Sequence, residues 1–464
     1  MNRVPRLGIL SIIALCFGFP VFAGAVESLL IEMGAVTAPL SLEKAVELAL
    51  DQSLSLQKSS IDLQTAKFSS SNLWAEIFPR LSAGGGLSYG TPLLTQGGFQ
   101  TDPDLLNYNL TMGITFSLTP SLASSMKILK LAYQSQLLDY ENSRRQLEIQ
   151  VAKTFYSLIA EKRNLENLEN TLAQAQRQLE RNQVAFNNGM VSQIVYLQSR
   201  YSAENARLNL SRAETAYDLH RGEFFVLLGL DRKSGIELEG EISITLVEAE
   251  PERLIAEYLP KRPDMISQRQ TIERLELTQR QSVLNARAPS LTLSGQWRGG
   301  AGITPGNFTD SLSASLSVDI PIVSWIPGTT ENQTVRTARA NVEKAELDLK
   351  NTENLARLEI QSLSDNLHNS WLGIEIDRLQ VEIAERTYEL SEQGFRNGTV
   401  ESLTLEENRN RLAQAQQQLL NDELSYMNMI LDLAAAVNID PDELRKPPGP
   451  AAGDPAGKSS RSVP

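Results

Sequence analysis

The chain has 464 residues, with 56 acidic against 43 basic side chains and a net charge of −13. Two histidines (His220, His368) and a single cysteine (Cys16) exclude a Cys/His zinc site, a disulfide framework and most cysteine chemistry. The acidic balance, without a Lys/Arg block, argues against nucleic acid as a partner, and beyond residue 25 no run of about 18 apolar residues offers a helical membrane span.

Residues 1–25 read as a secretory signal peptide: Arg3 and Arg6 lead an apolar stretch over 7–22, and Ala23-Gly24-Ala25 supplies small residues for cleavage. Leu15 stands before Cys16 where a lipobox needs a small residue, so Cys16 reads as part of the apolar stretch and not as an acylation site. Cleavage after Ala25 would leave a mature protein without cysteine.

The rest divides into two copies. Phe186-Asn187-Asn188-Gly189-Met190-Val191 returns as Phe395-Arg396-Asn397-Gly398-Thr399-Val400, about 209 residues later, and the offset holds for Arg200 with Arg409, Ala206 with Ala415 and Leu210 with Leu419. Self-similarity at one offset over half a chain marks duplicated structural units. The expected boundaries are 26–230 for the first copy, 231–250 for a connecting segment, 251–440 for the second copy and 441–464 for a Pro/Gly/Ala/Ser-rich disordered tail.

Within the first copy, Leu81, Ala83, Gly85, Leu87 and Tyr89 alternate with polar or small residues, as do Leu110, Met112, Ile114, Phe116 and Leu118. The second copy repeats this with Leu291, Leu293, Gly295 and Trp297, then Leu312, Ala314, Leu316, Val318 and Ile320. Period two over about ten residues gives strands with one apolar and one polar face, the length and pattern of a membrane-spanning β-strand. Two hairpins are expected, over 81–119 and 290–320, with loops at 91–107 and 299–310. Four strands cannot close a barrel, and strands in lipid tolerate no free edge, so several chains would have to pool them.

From 122 to 188 there is neither Gly nor Pro, and as a helix this stretch would reach about 100 Å. Val151, Leu158, Leu165, Leu172, Leu179 and Phe186 recur every seven residues, matched in the second copy by Ile360, Leu367, Ile374, Val381, Tyr388 and Phe395. A sustained seven-residue period requires helices that wind about each other. Asn188-Gly189 and Asn397-Gly398 suit reversals between an ascending and a descending helix. The helices alone fit a soluble antiparallel coiled coil equally well; the strands favour a channel.

The signal peptide, the duplicated order, the Leu-Ser-Leu-Glu-Lys-Ala-Val-Glu-Leu-Ala-Leu opening at 40–50, Asp-Ile-Pro-Ile at 319–322 and the two Asn-Gly tips together resemble the TolC-like outer membrane efflux family. The resemblance implies a mainly α protein with membrane β structure: a homotrimer whose twelve-stranded outer-membrane barrel, four strands per chain, continues into a long periplasmic α-helical barrel. It further implies contact with outer-membrane lipid, a periplasmic adaptor and an inner-membrane pump, no cofactor and no catalysis. Asn188, Gly189, Val191, Asn397, Gly398 and Val400 would be the adaptor-docking tips. Many members carry Asp six residues after each tip glycine, where this chain has Val195 and Thr404. Where relatives place an acidic ring at the periplasmic entrance, it has Ser199 and Glu407, and a tyrosine of the closed-state network is here Phe395. Glu407, Thr404, Phe395 and Val195 are therefore the expected gate residues, with Glu407 the one candidate for a cation-favouring ring. The alternative is an exported coiled-coil scaffold or adhesin without a pore.

No phosphate-binding loop, His-Glu-x-x-His or nucleophile elbow occurs, and His220 and His368 read as packing or solvated helix residues.

Overall fold

The computed structural model describes residues 39–89, 106–231, 236–302 and 308–445. The signal peptide, Cys16 and residues 446–464 lie outside the described residues. Each copy begins with helices: α1 (Leu42–Gln52) and α2 (Leu54–Ser71) in the first, the eight-residue α5 (Pro251–Tyr258) and α6 (Pro263–Arg287) in the second. A strand pair follows, β1 (Arg80–Tyr89) with β2 (Leu106–Leu118) and β3 (Ser290–Gly302) with β4 (Thr309–Asp319). Then come the long helices, α3 (Leu122–Asn187) with α4 (Gln193–Leu227), and α7 (Thr330–Arg396) with α8 (Ser402–Val437). At 66 and 67 residues, α3 and α7 each extend about 100 Å. The shorter α4 and α8 cover only their tip-side halves, while α2 and α6 line the halves next to the sheet.

The two hairpins join: β2 pairs antiparallel with β3, giving one four-stranded sheet in the order β1-β2-β3-β4. Two expectations need correction. The strands reach further than the alternation suggested, since Asn107 already pairs with Gly302, so residues 299–302 are ladder and not loop. The chain after Ile439 is not featureless either: α9 (Pro441–Leu444) makes a helical turn with Asp440 as its cap, accepting from the Asp442 amide at 3.0 Å. Proline at the first helical position costs no hydrogen bond there.

The apolar core forms a belt at mid-height. One cluster joins Ala45 and Ala49 of α1 to Val151, Phe155 and Leu158 of α3 and Phe224 and Phe225 of α4. A second joins Ile360, Leu367 and Ile374 of α7 to Tyr426, Ile430 and Leu433 of α8 and Leu254 of α5. The heptad series is thus fully buried at its belt end, while Leu172, Leu179, Val381 and Tyr388 nearer the tips are half-buried. Two helices alone cannot enclose each other's seam.

The connecting segment girdles this belt. Leu238 forms a parallel bridge with Leu40. Further on, Tyr426 pins the segment from within: its hydroxyl donates to the Thr245 carbonyl and accepts from the Val247 amide, both at 3.0 Å. Burial raises the Tyr426 pKa above the usual phenolic value. Tyr426→Phe strands a buried N–H and a carbonyl, so it should cost about 1–3 kcal/mol in denaturant unfolding, despite an unchanged ring. A loss below the error of the measurement would show that water replaces both bonds.

Candidate functional site

Two regions can carry function, the sheet and the opposite helical tips. Along the sheet the register places Leu81, Ala83 and Leu87 of β1 on the same face as Leu110, Met112, Ile114, Phe116 and Leu118 of β2. Leu291, Leu293 and Trp297 of β3 and Leu312, Ala314, Leu316 and Val318 of β4 continue that face. The other face carries Ser82, Asn109, Thr111, Thr115, Thr292, Ser294, Gln296, Ser313, Ser315 and Ser317. Leu312 is 82% exposed and Leu87 78%, far from what a water-facing strand sustains as a continuous surface. Strands of 10 to 13 residues match the span of a tilted bilayer-crossing strand. Both outer strands, β1 and β4, have an unpaired edge within the chain. Among the described residues no helix is long and apolar enough to cross a membrane.

The tips are tight helix terminations. Gly189 and Gly398 adopt φ +70° and +74°, whereas Asn188 and Asn397 stay at φ −88° and −89°. The left-handed residue is therefore the glycine alone, closing a Schellman motif in which Met190 N–H reaches the Ala185 carbonyl and Thr399 N–H the Gly394 carbonyl. A side chain at either glycine would be strained although nothing crowds it. Asn188, Gly189, Asn397 and Gly398 are exposed at the apex, with Val191 and Val400 half-buried just behind.

A cavity of about 980 Å³ lies between the two helical hairpins behind the tips. It gathers Val191, Val195, Phe395, Gly398 and Val400, so two of the four expected gate residues sit together. Arg409, Arg177, Arg181 and Glu406 also line it. The bonds that tie the hairpins here were not foreseen: Arg409 Nη2 to Ser202 Oγ at 3.3 Å, and Gln178 Nε2 to Ser402 Oγ at 3.5 Å. Sequence marked Arg409 only as a repeat position; a cationic residue on a mostly small and apolar helix face was the available signal. Burial raises the Tyr388 pKa, Glu392 adds to it, and Arg409, Arg181 and Arg177 oppose it.

Glu407 and Thr404 stand apart from this cavity. Both are exposed, and Glu407 borders a separate groove between α4 and α8 with Ile194, Leu197, Tyr201 and Leu403. Its carboxylate pairs with Arg411 at 3.2 Å. The offset between copies matches Glu407 with Gln198, and Ser199 with Asn408. Ser199 is 5% exposed and donates to the Tyr196 carbonyl, so it belongs to the helix seam and to no pore-lining ring.

His220 meets Glu161 at 2.8 Å on an exposed surface. Among the described residues no three His, Cys, Asp or Glu side chains converge on a metal position.

These features agree with known proteins. A sequence model described as "Outer membrane efflux protein" matches twice, over residues 45–230 and 254–438, the two copies. The fold resembles the CmeC outer membrane channel of Campylobacter jejuni, at 19% identity and a TM-score of 0.68, over 87% of this chain and 88% of that one. It also resembles the outer membrane protein VceC of Vibrio cholerae, at 17% identity and TM-score 0.67, over 85% and 95% of the two chains. The open-state MtrE outer membrane channel of Neisseria gonorrhoeae aligns at 15% identity and TM-score 0.63, over 86% and 89%. No curated protein matches by sequence comparison. The sheet is accordingly the outer-membrane part, the helices are the periplasmic part, and the molecule is an exit duct for tripartite efflux. With the family model covering both copies, the chain belongs to the outer membrane efflux protein family.

Proposed function

We propose that three copies assemble into one passive duct, with twelve strands in the outer membrane and a helical barrel whose tips dock a periplasmic adaptor served by an inner-membrane pump. The observation that carries this reading is the sheet with one apolar face, one polar face and two unpaired edges. Lipid permits no open strand edge, and neither the edges nor the apolar face suits a water-soluble scaffold. β4 of one copy beside β1 of the next removes every edge in a closed ring. The energy for transport comes from the pump; the duct supplies a polar lumen and a gate. Adaptor binding opens that gate only to the extent that the adaptor prefers splayed tips to crowded ones. Membrane fractions washed with carbonate should retain the protein, and its detergent-solubilised mass should be that of three chains. Release into the wash as a monomer would overturn the proposal.

Glu407 is proposed to face the lumen entrance, where three symmetry-related carboxylates would favour cations. Arg411 offsets each of them, so Glu407→Gln leaves an unbalanced guanidinium. The cation-to-anion permeability ratio in bilayer recordings should fall roughly fivefold, about 1 kcal/mol per ion. An unchanged ratio would place Glu407 away from the ion path.

A further inference from the structure

Behind each tip the two copies place small residues at matching positions of the helix seam. In the first copy Ala175 and Asn182 on α3 and Ser199 and Ala206 on α4 are buried; in the second, Ser391 on α7 and Asn408 and Ala415 on α8 are buried and Ala384 on α7 is half-buried. Both alanine pairs are kept, whereas the polar pair is exchanged: Asn faces the Ser position in one copy and Ser faces the Asn position in the other. All four polar side chains are more than nine-tenths buried, Asn182 at 6% exposure, Ser199 at 5%, Ser391 at 8% and Asn408 at 8%. In the second hairpin Asn408 Nδ2 donates to Ser391 Oγ at 2.6 Å across the seam. In the first, each is satisfied on its own helix, Asn182 by Gln178 Nε2 at 3.1 Å and Ser199 by the Tyr196 carbonyl.

We propose that the Asn408–Ser391 pair is a register pin, a polar key that admits only one axial alignment of α7 with α8 and so fixes the height and direction of the second tip. The need for one follows from the sequence around it. Small residues every seven positions pack almost equally well after a slip of one heptad, since alanine offers no shape to distinguish neighbouring holes. A slip would put Asn408 opposite an apolar partner and leave its buried amide unpaired, whereas the Ser391 hydroxyl keeps its bond to the Thr387 carbonyl at 2.8 Å. A single buried asparagine selects alignment in this way while lowering stability relative to an apolar side chain. The first hairpin, with Asn182 on α3 and Ser199 on α4, makes no such bond, so the pin belongs to the second hairpin alone.

The test uses full-length protein in detergent, with spin labels at positions 387 and 411 in chains diluted with unlabelled copies. The parent should give one narrow distance. Asn408→Leu should keep or raise the melting temperature yet broaden or split that distance, with amide exchange over residues 392–400 about tenfold faster. Ser391→Ala, a loss of one hydroxyl, covers the case in which Asn408→Leu does not fold, and it should broaden the distance likewise. A single narrow distance in Asn408→Leu or in Ser391→Ala overturns the pin.

Discussion

Met112→Arg should remove the protein from the outer membrane. Met112 lies in the row Ala83–Met112–Trp297–Leu312, midway along β2, on the face where the side chains of every strand are apolar. An arginine on the lipid side of a barrel costs about 2–4 kcal/mol at the bilayer midplane. Each protomer carries the change, so the proposed threefold assembly would bear it three times over, against a total stability of only some 5–15 kcal/mol for an ordinary domain. The neighbouring row supplies the control. Gly113, Gln296 and Ser313 stand opposite one another on the polar face, so Ser313→Arg enters water and should leave membrane yield near the parent level. The measurement is the amount of protein in washed outer membranes, with total expression as reference. Equal loss from both variants would mean that the sheet has no lipid side; equal tolerance would mean that it does not enter the bilayer.

That contrast rests on a pattern legible before any coordinates, because a strand's side chains alternate with a period fixed by backbone geometry. The same holds for the long helices: a seven-residue period, with neither Gly nor Pro in α3 and no Pro in α7, leaves little else for them to be. What pairs with what was less accessible. The contact between β2 and β3 joins segments some 180 residues apart, and nothing local in Asn107 or Gly302 announces the partner. The tips were half legible. Asn-Gly predicts a reversal, but only the structure assigns the left-handed conformation to Gly189 and Gly398 while Asn188 and Asn397 keep negative φ. Among the expected gate residues, Val195 and Phe395 converge on one cavity because each faces the opposite hairpin, whereas Thr404 and Glu407 lie on another side of α8. Sequence spacing from the tip glycine gives the height of a residue; the face depends on packing between hairpins, set by the cross-links of Arg409 and Gln178 that no spacing rule anticipates.

Ile376→Glu combined with Ile383→Glu should convert the assembly to monomers while leaving each chain's helices intact. Within one chain α3 packs on α4 and on α8, and α8 on α7, so α4 and α7 are the outer members of the row. α7 carries an exposed apolar stripe, Leu372, Ile376, Leu379, Ile383 and Leu390, separated by four, three, four and seven residues. That spacing is the one of a helix seam awaiting a partner. A stripe on α7 that meets a different surface of the next copy makes a head-to-tail contact, which continues from copy to copy until the rotation closes a ring. Burying each isoleucine in that seam contributes about 1.5–3 kcal/mol, and a glutamate in its place adds the cost of dehydrating a charge. Neither position belongs to the mid-height clusters, so far-UV circular dichroism should be unchanged while light scattering in detergent falls from three chains to one. A trimer that survives both substitutions at unchanged melting temperature would show that the α7 stripe faces something other than the neighbouring copy, and the strand edges alone would then have to hold the ring together.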